Sequence, residues 1–481
     1  FSPREGTLGI ADRFYHSGDN IKTIQLPSSL LYIGKLSLRD INLSSIQLPE
    51  ALACIGERAF EGWISLKEIS FPSSLKEIGR MAFNDSGLES IVIPDGVEEI
   101  GYRAFYQNSS LKKVYYGAQH ATGTYIFNYC PNLEEVIVGS KVKAIPAYAF
   151  SLCESINKLE LGNQLEIIGD FAFEDSKALT HTDFPSNLRV IGVRAFEDCP
   201  LENIVIGENI EELGSDCLAS TISLEYNRAT MPEGFFKSRK LKSIIIGSNL
   251  KIIPEKAFDG CGYLNSVSMG SGVETIEKDA FAECKALSEI SVSPILKEIR
   301  DGAFHNCVSL KQFEFPSTLT SIGNNAFYQN GIERLLLPAV MTIGESAFAY
   351  CKAVKEIELP TTLQSIGKRA FDYCELITIV KSHIKSPFEI PNDAFYFSKD
   401  FIENCTLMVP TGTSDAYKTT YAWARFKNIV EYDDASAMNT LQSEESRTPT
   451  FYNIAGNKSQ GQRGLNIVRY SDGTVKKVLL K

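Results

Sequence analysis

The chain has 481 residues, 44% hydrophobic and 22% charged, with a formal net charge of −11. Ordinary apolar content makes it foldable rather than disordered, and an acidic balance without a basic block argues against nucleic acid and anionic membrane surfaces as partners. No stretch approaches the ~18 uncharged apolar residues of a transmembrane span, and the opening FSPREG, with neither Met nor an apolar leader, reads as a piece from which any export signal has been removed.

Residues 1–20 carry no periodicity. From Ile21 onward a hexapeptide returns as IGERAF, IGRMAF, IGYRAF, IGDFAF, IGVRAF, IGESAF and IGKRAF. Aligned on its last residue, the slot runs Leu38, Phe60, Phe83, Phe105, Phe127 and Phe150, and continues at near-constant intervals to Phe395, most steps being 22 or 23 residues. A fixed period of this size is the signature of a solenoid whose units stack on their neighbours. In Leu66–Pro72 the apolar residues Ile69 and Phe71 alternate with Ser70, which predicts a short strand with one buried face. Pro (Pro72, Pro94) or Gly (Gly117, Gly139) then ends the strand, Pro by losing its N–H and Gly by permitting positive φ. A segment such as Leu75-x-x-Ile78 returns on the opposite side, a Gly supports a second turn, a small Ala lets the chain bend close to its neighbour, and Phe fills the interior as one ring of a stack. A lone coil buries about six apolar side chains at roughly 1.5–3 kcal/mol each against roughly 1–2 kcal/mol of ordering entropy per residue, so only the array can fold.

Two units depart from the pattern. At Thr122–Phe127, Thr replaces Ile and Ile replaces Ala. Between Leu218 and Phe236 the step shortens to 18. There Ala219 is read as the leading Leu slot and Ser223 as the exposed strand position, with a local kink. Residues 1–20 are the candidate N-terminal cap, with Ile10, Phe14 and Tyr15 as covering groups. Residues 21–400 are the solenoid. Residues 401–431 are aromatic-rich, with a helical stretch near Ser414–Phe426 capped by Ser414, and form the C-terminal cap. Residues 432–449 read as a linker. In 450–481, β-like runs at 451–454, 465–469 and 475–480 form a short tail, with Ser471-Asp472-Gly473 as a hairpin signal.

The unit L-x-x-I-x-L-P-x-x-L-x-x-I-G-x-x-A-F-x-x-C resembles the BspA-like class of bacterial leucine-rich repeats over roughly Ile21 to Glu431. The resemblance implies a right-handed leucine-rich-repeat solenoid, β-rich with few helices, on an exported bacterial protein displayed at the cell surface and associated with adhesion. The tail is similar to short C-terminal segments that such proteins use in secretion or attachment.

Eight of the eleven cysteines fall three residues after the repeat Phe: Cys130, Cys153, Cys199, Cys261, Cys284, Cys307, Cys351 and Cys374. Parallel Cβ vectors on neighbouring coils disfavour disulfides, and the spacing does not suit zinc. Small buried thiols are expected. His16, His120, His181, His305 and His383 are dispersed, and no metalloprotease, nucleophile-elbow, phosphate-loop or kinase motif occurs. No catalytic residue, metal or cofactor is therefore assigned. Among exposed strand positions, Val92, Tyr115 and Ile137 are consecutive and are followed by Glu160 and Asp183. An apolar run beside charges can mark a contact patch. These five are the candidate ligand-binding residues, for a protein or glycan partner of host origin. The expected function is non-enzymatic surface binding, with a structural spacer lacking any ligand site as the alternative.

Overall fold

The computed structural model describes residues 2–14, 21–41, 43–119, 123–236 and 240–433, together with strand backbone within 450–480. Each coil has three sides. The front carries parallel strands at the predicted L-x-x-I-x-L segments, in sheets of four (Ser90–Ile93 to Lys158–Glu160), five (Ile204–Ile206 to Glu289–Ser291) and five strands (Arg334–Leu336 to Asn428–Tyr432). The return side carries two-residue rungs in sheets of five (Gly9–Ile10 to Glu99–Ile100), four (Ala144–Ile145 to Glu212–Leu213) and six (Ile252–Ile253 to Ser365–Ile366). The front sheets are interrupted where Phe precedes Pro. The coils of Phe71-Pro72, Phe184-Pro185 and Phe315-Pro316 form no front strand. Each puts a second ring against the core stack, with centroids 5.5 Å apart for Phe71–Phe83, Phe184–Phe196 and Phe315–Phe327. Coils that place Ile93, Leu337 or Leu359 before the Pro keep their strands.

The third side is the Ala-Phe segment, and it is a hydrogen-bonded ladder of its own. Phe60 N–H donates to the Ala82 carbonyl (2.8 Å), Phe83 to Ala104 (2.7 Å) and Phe258 to Ala280 (2.8 Å). The segment turns on residues with positive φ two places before and two places after the Phe, such as Met81 (φ 51) and Asp85 (φ 53), or Tyr148 (φ 57) and Leu152 (φ 60). Each non-glycine residue held there costs roughly 1–2 kcal/mol, which the ladder bond and the buried Phe offset. Glycine plays a different part from the one expected. Gly79 and the strand-ending Gly117 and Gly139 do not have positive φ. A Cβ on Gly79 would lie 2.6 Å from the Gly56 carbonyl carbon, so glycine is required by the close approach of successive backbones. The Phe rings form the expected stack, with centroids 4.9 Å apart for Phe105–Phe127 and 5.6 Å for Phe348–Phe371, at interplanar angles of 8° and 2°.

The cysteine slot proves to be a donor slot. Each of the eight repeat thiols is buried and points at the carbonyl of the Phe one coil back, from 2.8 Å (Cys261 to Phe236) to 3.5 Å (Cys130 to Phe105). At three coils without Cys other donors serve the same acceptor: Trp63 Nε1 to Leu38 (2.6 Å), Asn108 Nδ2 to Phe83 (3.0 Å) and Asn330 Nδ2 to Phe304 (3.3 Å); Ser86 instead donates to Asn108 (2.6 Å). All eleven cysteines are free thiols. Burial pushes the thiols of Cys261 and Cys351 up to about 12.

The short coil keeps its front register and loses its return rung. Ile204 pairs with Leu224 and Leu224 with Ile244. The leading slot is therefore Thr221, not Ala219, and the exposed position is Glu225, not Ser223. The shortfall is shared between the turn before the strand and the return side after it, so a slip of two residues restores the alternation of inward side chains. At the N-terminal end Ile10 is buried and pairs with Ile33, whereas Phe14 is 48% exposed and Tyr15 lies outside the described residues. At the other end the helices are Lys399–Asn404 and Ser414–Thr419. Ser414 is not the cap. Thr413 occupies that position without a capping bond, its hydroxyl donating instead to the Pro410 carbonyl (2.6 Å), and the Ser414 N–H donates to Glu431 Oε1 (2.9 Å). The tail is an antiparallel sheet of Thr450–Tyr452, Lys458–Ser459, Gly464–Arg469 and Val475–Leu480, the last two paired as the predicted hairpin. The linker after Asp433 and the Ser471–Gly473 turn lie outside the described residues.

Two outcomes are expected from the thiol slot. In titration with a thiol reagent at neutral pH the buried cysteines stay silent until denaturant is added. Cys307→Ala removes one of two donors to the buried Phe281 carbonyl, the other being the Cys284 N–H (3.3 Å), and lowers stability by ~0.5–1.5 kcal/mol in chemical unfolding.

Candidate functional site

Four of the five sequence-predicted residues stand on adjacent rungs. Val92 pairs with Tyr115, Tyr115 with Ile137 and Ile137 with Glu160. Outward and inward side chains alternate along each strand, so these four share the front face while Ile91, Val114, Val136 and Leu159 fill the core behind them. Val92 is 60% exposed; Tyr115 and Ile137 are partly covered by their rung neighbours. The Asp183 side chain is almost fully exposed, and it lies on the next coil, where Phe184 ends the sheet. It therefore flanks the stripe without joining its ladder.

Tyr115 is held in place. Its hydroxyl donates to Asp95 Oδ1 (3.1 Å), and Asp95 also meets Lys141 (3.4 Å). Partial burial, then the bond to and charge of Asp95, raise the phenol above its ordinary value. Beside it runs a charge ladder in which Lys113 meets Glu135 (2.9 Å), Glu135 meets Lys158 (2.5 Å) and Lys158 meets Glu160 (3.0 Å). Hydrogen bonds from Lys158 and Lys113 hold the Glu135 carboxyl below its ordinary range. The patch thus offers a fixed aromatic ring between a valine and an isoleucine, edged by ordered charges. It contains no nucleophile–base pair, and no group of metal-ligating side chains occurs among the described residues.

A second cluster escaped the sequence reading. His383 Nε2 lies 2.6 Å from Glu358 Oε1 and Nδ1 lies 2.7 Å from the Tyr432 hydroxyl. Lys381 Nζ meets Glu358 (3.0 Å) and sits over the Tyr432 ring, 5.0 Å from its centroid. Tyr432 belongs to the last solenoid strand and reaches back across the strand Thr406–Pro410. The cluster is a clasp on the C-terminal end. Only the register of three strands brings these residues together, and no local motif carries them. The His383 bond, with help from Lys381, depresses the Glu358 carboxyl to about 2. A depressed carboxyl contributes stability above its unfolded value of ~4.3 and loses it as pH falls toward about 2. The melting temperature of Glu358→Gln is therefore expected to lie below that of the unmodified protein at neutral pH, and the gap to close as the solution is acidified through that window.

With this geometry in view, the comparisons are direct. The profile of the BspA type leucine rich repeat region matches residues 9–122, 119–225, 229–352 and 320–416. The chain belongs to the BspA-type leucine-rich repeat family. A search of curated proteins finds no match. Among solved structures, this BspA-type chain is similar to a leucine-rich repeat protein from Bacteroides ovatus, with 26% identity over 74% of this chain and 83% of that one and a TM-score of 0.49. It is also similar to a leucine rich cell surface protein from Faecalibacterium prausnitzii, with 21% identity over 79% and 89% of the two chains and a TM-score of 0.31. The pneumococcal vaccine antigen PcpA matches at 17% identity over 89% and 85%, with a TM-score of 0.31. No helix among the described residues is long and apolar enough to cross a membrane.

Proposed function

We propose that this BspA-type solenoid is a non-enzymatic binding protein, exported and displayed at the cell surface, that holds a protein partner on its front face around Tyr115. Export and display are carried over from the family. The binding reading rests on one observation, the tethered Tyr115 between Val92 and Ile137 on consecutive rungs. An aromatic already fixed through its hydroxyl loses little entropy on docking, and Tyr is enriched at binding hot spots. The adjoining Lys113–Glu135–Lys158–Glu160 ladder supplies both signs of charge in fixed places, which favours a protein over a neutral glycan as partner. Glu160 and Asp183 form the acidic border of the patch.

The experiment is a binding screen of the purified chain against isolated matrix proteins and a glycan array, with Val92→Ala, Tyr115→Ala and Ile137→Ala as face controls. Tyr115→Ala is expected to weaken binding of the protein that is captured by ~1–3 kcal/mol and to change stability by no more than ~0.5 kcal/mol. A partner whose affinity is indifferent to all three substitutions places binding elsewhere, and a glycan that requires Tyr115 replaces the protein reading.

A further inference from the structure

The third side bears an aromatic surface that the front-face reading does not use. Tyr125 and Tyr148 stack at 4.3 Å and 7°, and Tyr148 and Phe171 at 4.6 Å and 5°. These residues occupy the positive-φ position two before the repeat Phe, so their rings stand on successive coils outside the core. On the N-terminal side the column ends in cations. Arg103 Cζ lies 4.5 Å from the Tyr106 centroid and 5.0 and 5.5 Å from those of Tyr102 and Tyr125, and Arg80 stands 5.5 Å from Tyr102. Among the described residues no carboxylate forms an ion pair with Arg80 or Arg103, and Arg103 Nε is buried without a hydrogen-bond partner.

On the C-terminal side the column ends in acids. Glu174 accepts a hydrogen bond from Ser151 (3.1 Å) and meets no cation among the described residues; Asp175, Glu197 and Asp198 follow on this and the next coil, paired with Lys177 (3.3 Å), Arg194 (3.6 Å) and Lys240 (3.6 Å), and Arg194 stands 5.9 Å from the Phe171 centroid. Burial, with Glu174, Asp198 and Asp216 crowding it against the single Arg194, raises the Glu197 carboxyl. The surface therefore carries an excess of arginine over the single exposed Asp85 at one end, rings in the middle, and at the other an excess of carboxylate over Lys177, Arg194 and Lys240. The stacked rings cover one another's faces, which removes the platform that a sugar ring would need and leaves edges and hydroxyls for contact.

We propose that this surface docks a second copy of the chain, the two solenoids antiparallel about a two-fold axis that crosses the column between Tyr125 and Tyr148. A two-fold contact is isologous, so whatever one end of the patch presents must complement the other end. About that axis the coil of Arg103 faces the coil of Glu174, the coil of Arg80 faces that of Glu197, and Tyr125 faces Tyr148. Arg80 and Arg103, which form no ion pair with a carboxylate among the described residues, each meet a carboxylate-bearing coil of the other chain, twice. Six coils at ~4.8 Å each span roughly 25–30 Å, the linear scale of a footprint of ~800 Å2 per partner. The front face lies on another side of the coil and stays open in such a dimer.

The test is charge exchange read by sedimentation and light scattering on the full chain, over a concentration series at low and high salt. The unmodified chain is expected to dimerise, and to do so more weakly at high salt. Arg103→Glu and Glu174→Arg each place like charges across the axis twice and are expected to weaken dimerisation at least tenfold. The double variant restores the pairing with its signs reversed and is expected to recover the dimer. Circular dichroism and melting temperature establish that each variant is folded, and the exposed pair Arg80→Glu with Asp198→Arg, on the same two coils as Arg80 and Glu197, serves if Arg103 proves necessary for folding. Tyr115→Ala should dimerise normally. A chain that remains monomeric over the whole series overturns the proposal, as do single variants that still dimerise, or a folded double variant that does not recover.

Discussion

The spacing between coils is the constraint on which everything else rests. Backbone ladders on the front and return sides hold successive coils ~4.8 Å apart, and every slot must be filled by a group that tolerates repetition at that distance. Phenylalanine does so because its ring can lie flat against the next one, and the stack runs at about that separation from Phe60 to Phe196 and again from Phe236 to Phe395. Glycine at positions such as Gly56 and Gly79 does so because there is no room for a Cβ between the backbones. The cysteine slot does so because a thiol is small enough to be buried coil after coil and still donates to a buried carbonyl one coil back, beside the backbone N–H that several of these carbonyls, such as Phe281, already accept.

Departures from the spacing divide the molecule. The front sheet opens at the coils of Phe184 and Phe315, where a second Phe before Pro lies 5.5 Å from the stack; Tyr116 and Tyr226 in the same slot lie farther, at 6.1–6.4 Å, and keep their strands. The short coil has the opposite effect. It holds the front register through Leu224 and gives up the rung between Glu212–Leu213 and Ile252–Ile253 on the return side. Each side is thus a series of sheet segments. The stripe at Val92, Tyr115 and Ile137 belongs to one of them, which ends at Lys158–Glu160, one coil before Phe184.

Because the interior of each coil is committed to packing, variety is confined to the outside, and the outside differs by side. On the front, strand alternation spaces outward groups evenly and neutralises them in ladders such as Lys113–Glu135–Lys158. On the third side, the positive-φ residues carry long side chains outward, and there tyrosines collect beside arginines, some paired, as Arg194 is with Glu197 (3.6 Å), and some, such as Arg103, packed on rings instead. A solenoid with a fixed aromatic patch on one side and a self-complementary one on another can hold a ligand and a second copy at once.

Much of this architecture could be read from residues alone. The period, the Phe stack, the burial of the thiols, the hairpin of the tail and the adjacency of Val92, Tyr115, Ile137 and Glu160 all follow from local spacing, because a repeat turns sequence distance into position along one axis. What the tertiary structure alone decided involves contacts between coils. The acceptor for Cys261 is a carbonyl one coil back, the reason for Gly79 is the backbone of Gly56, and the leading slot of the short coil is Thr221 because Leu224 must meet Ile204 and Ile244. The left-handed residues were hidden because the ladder that holds them tolerates nearly any side chain. His383 was hidden because its partners, Glu358 and Tyr432, come from other strands. Local periodicity specifies what each coil must bury; only stacking specifies which group on the neighbouring coil it meets.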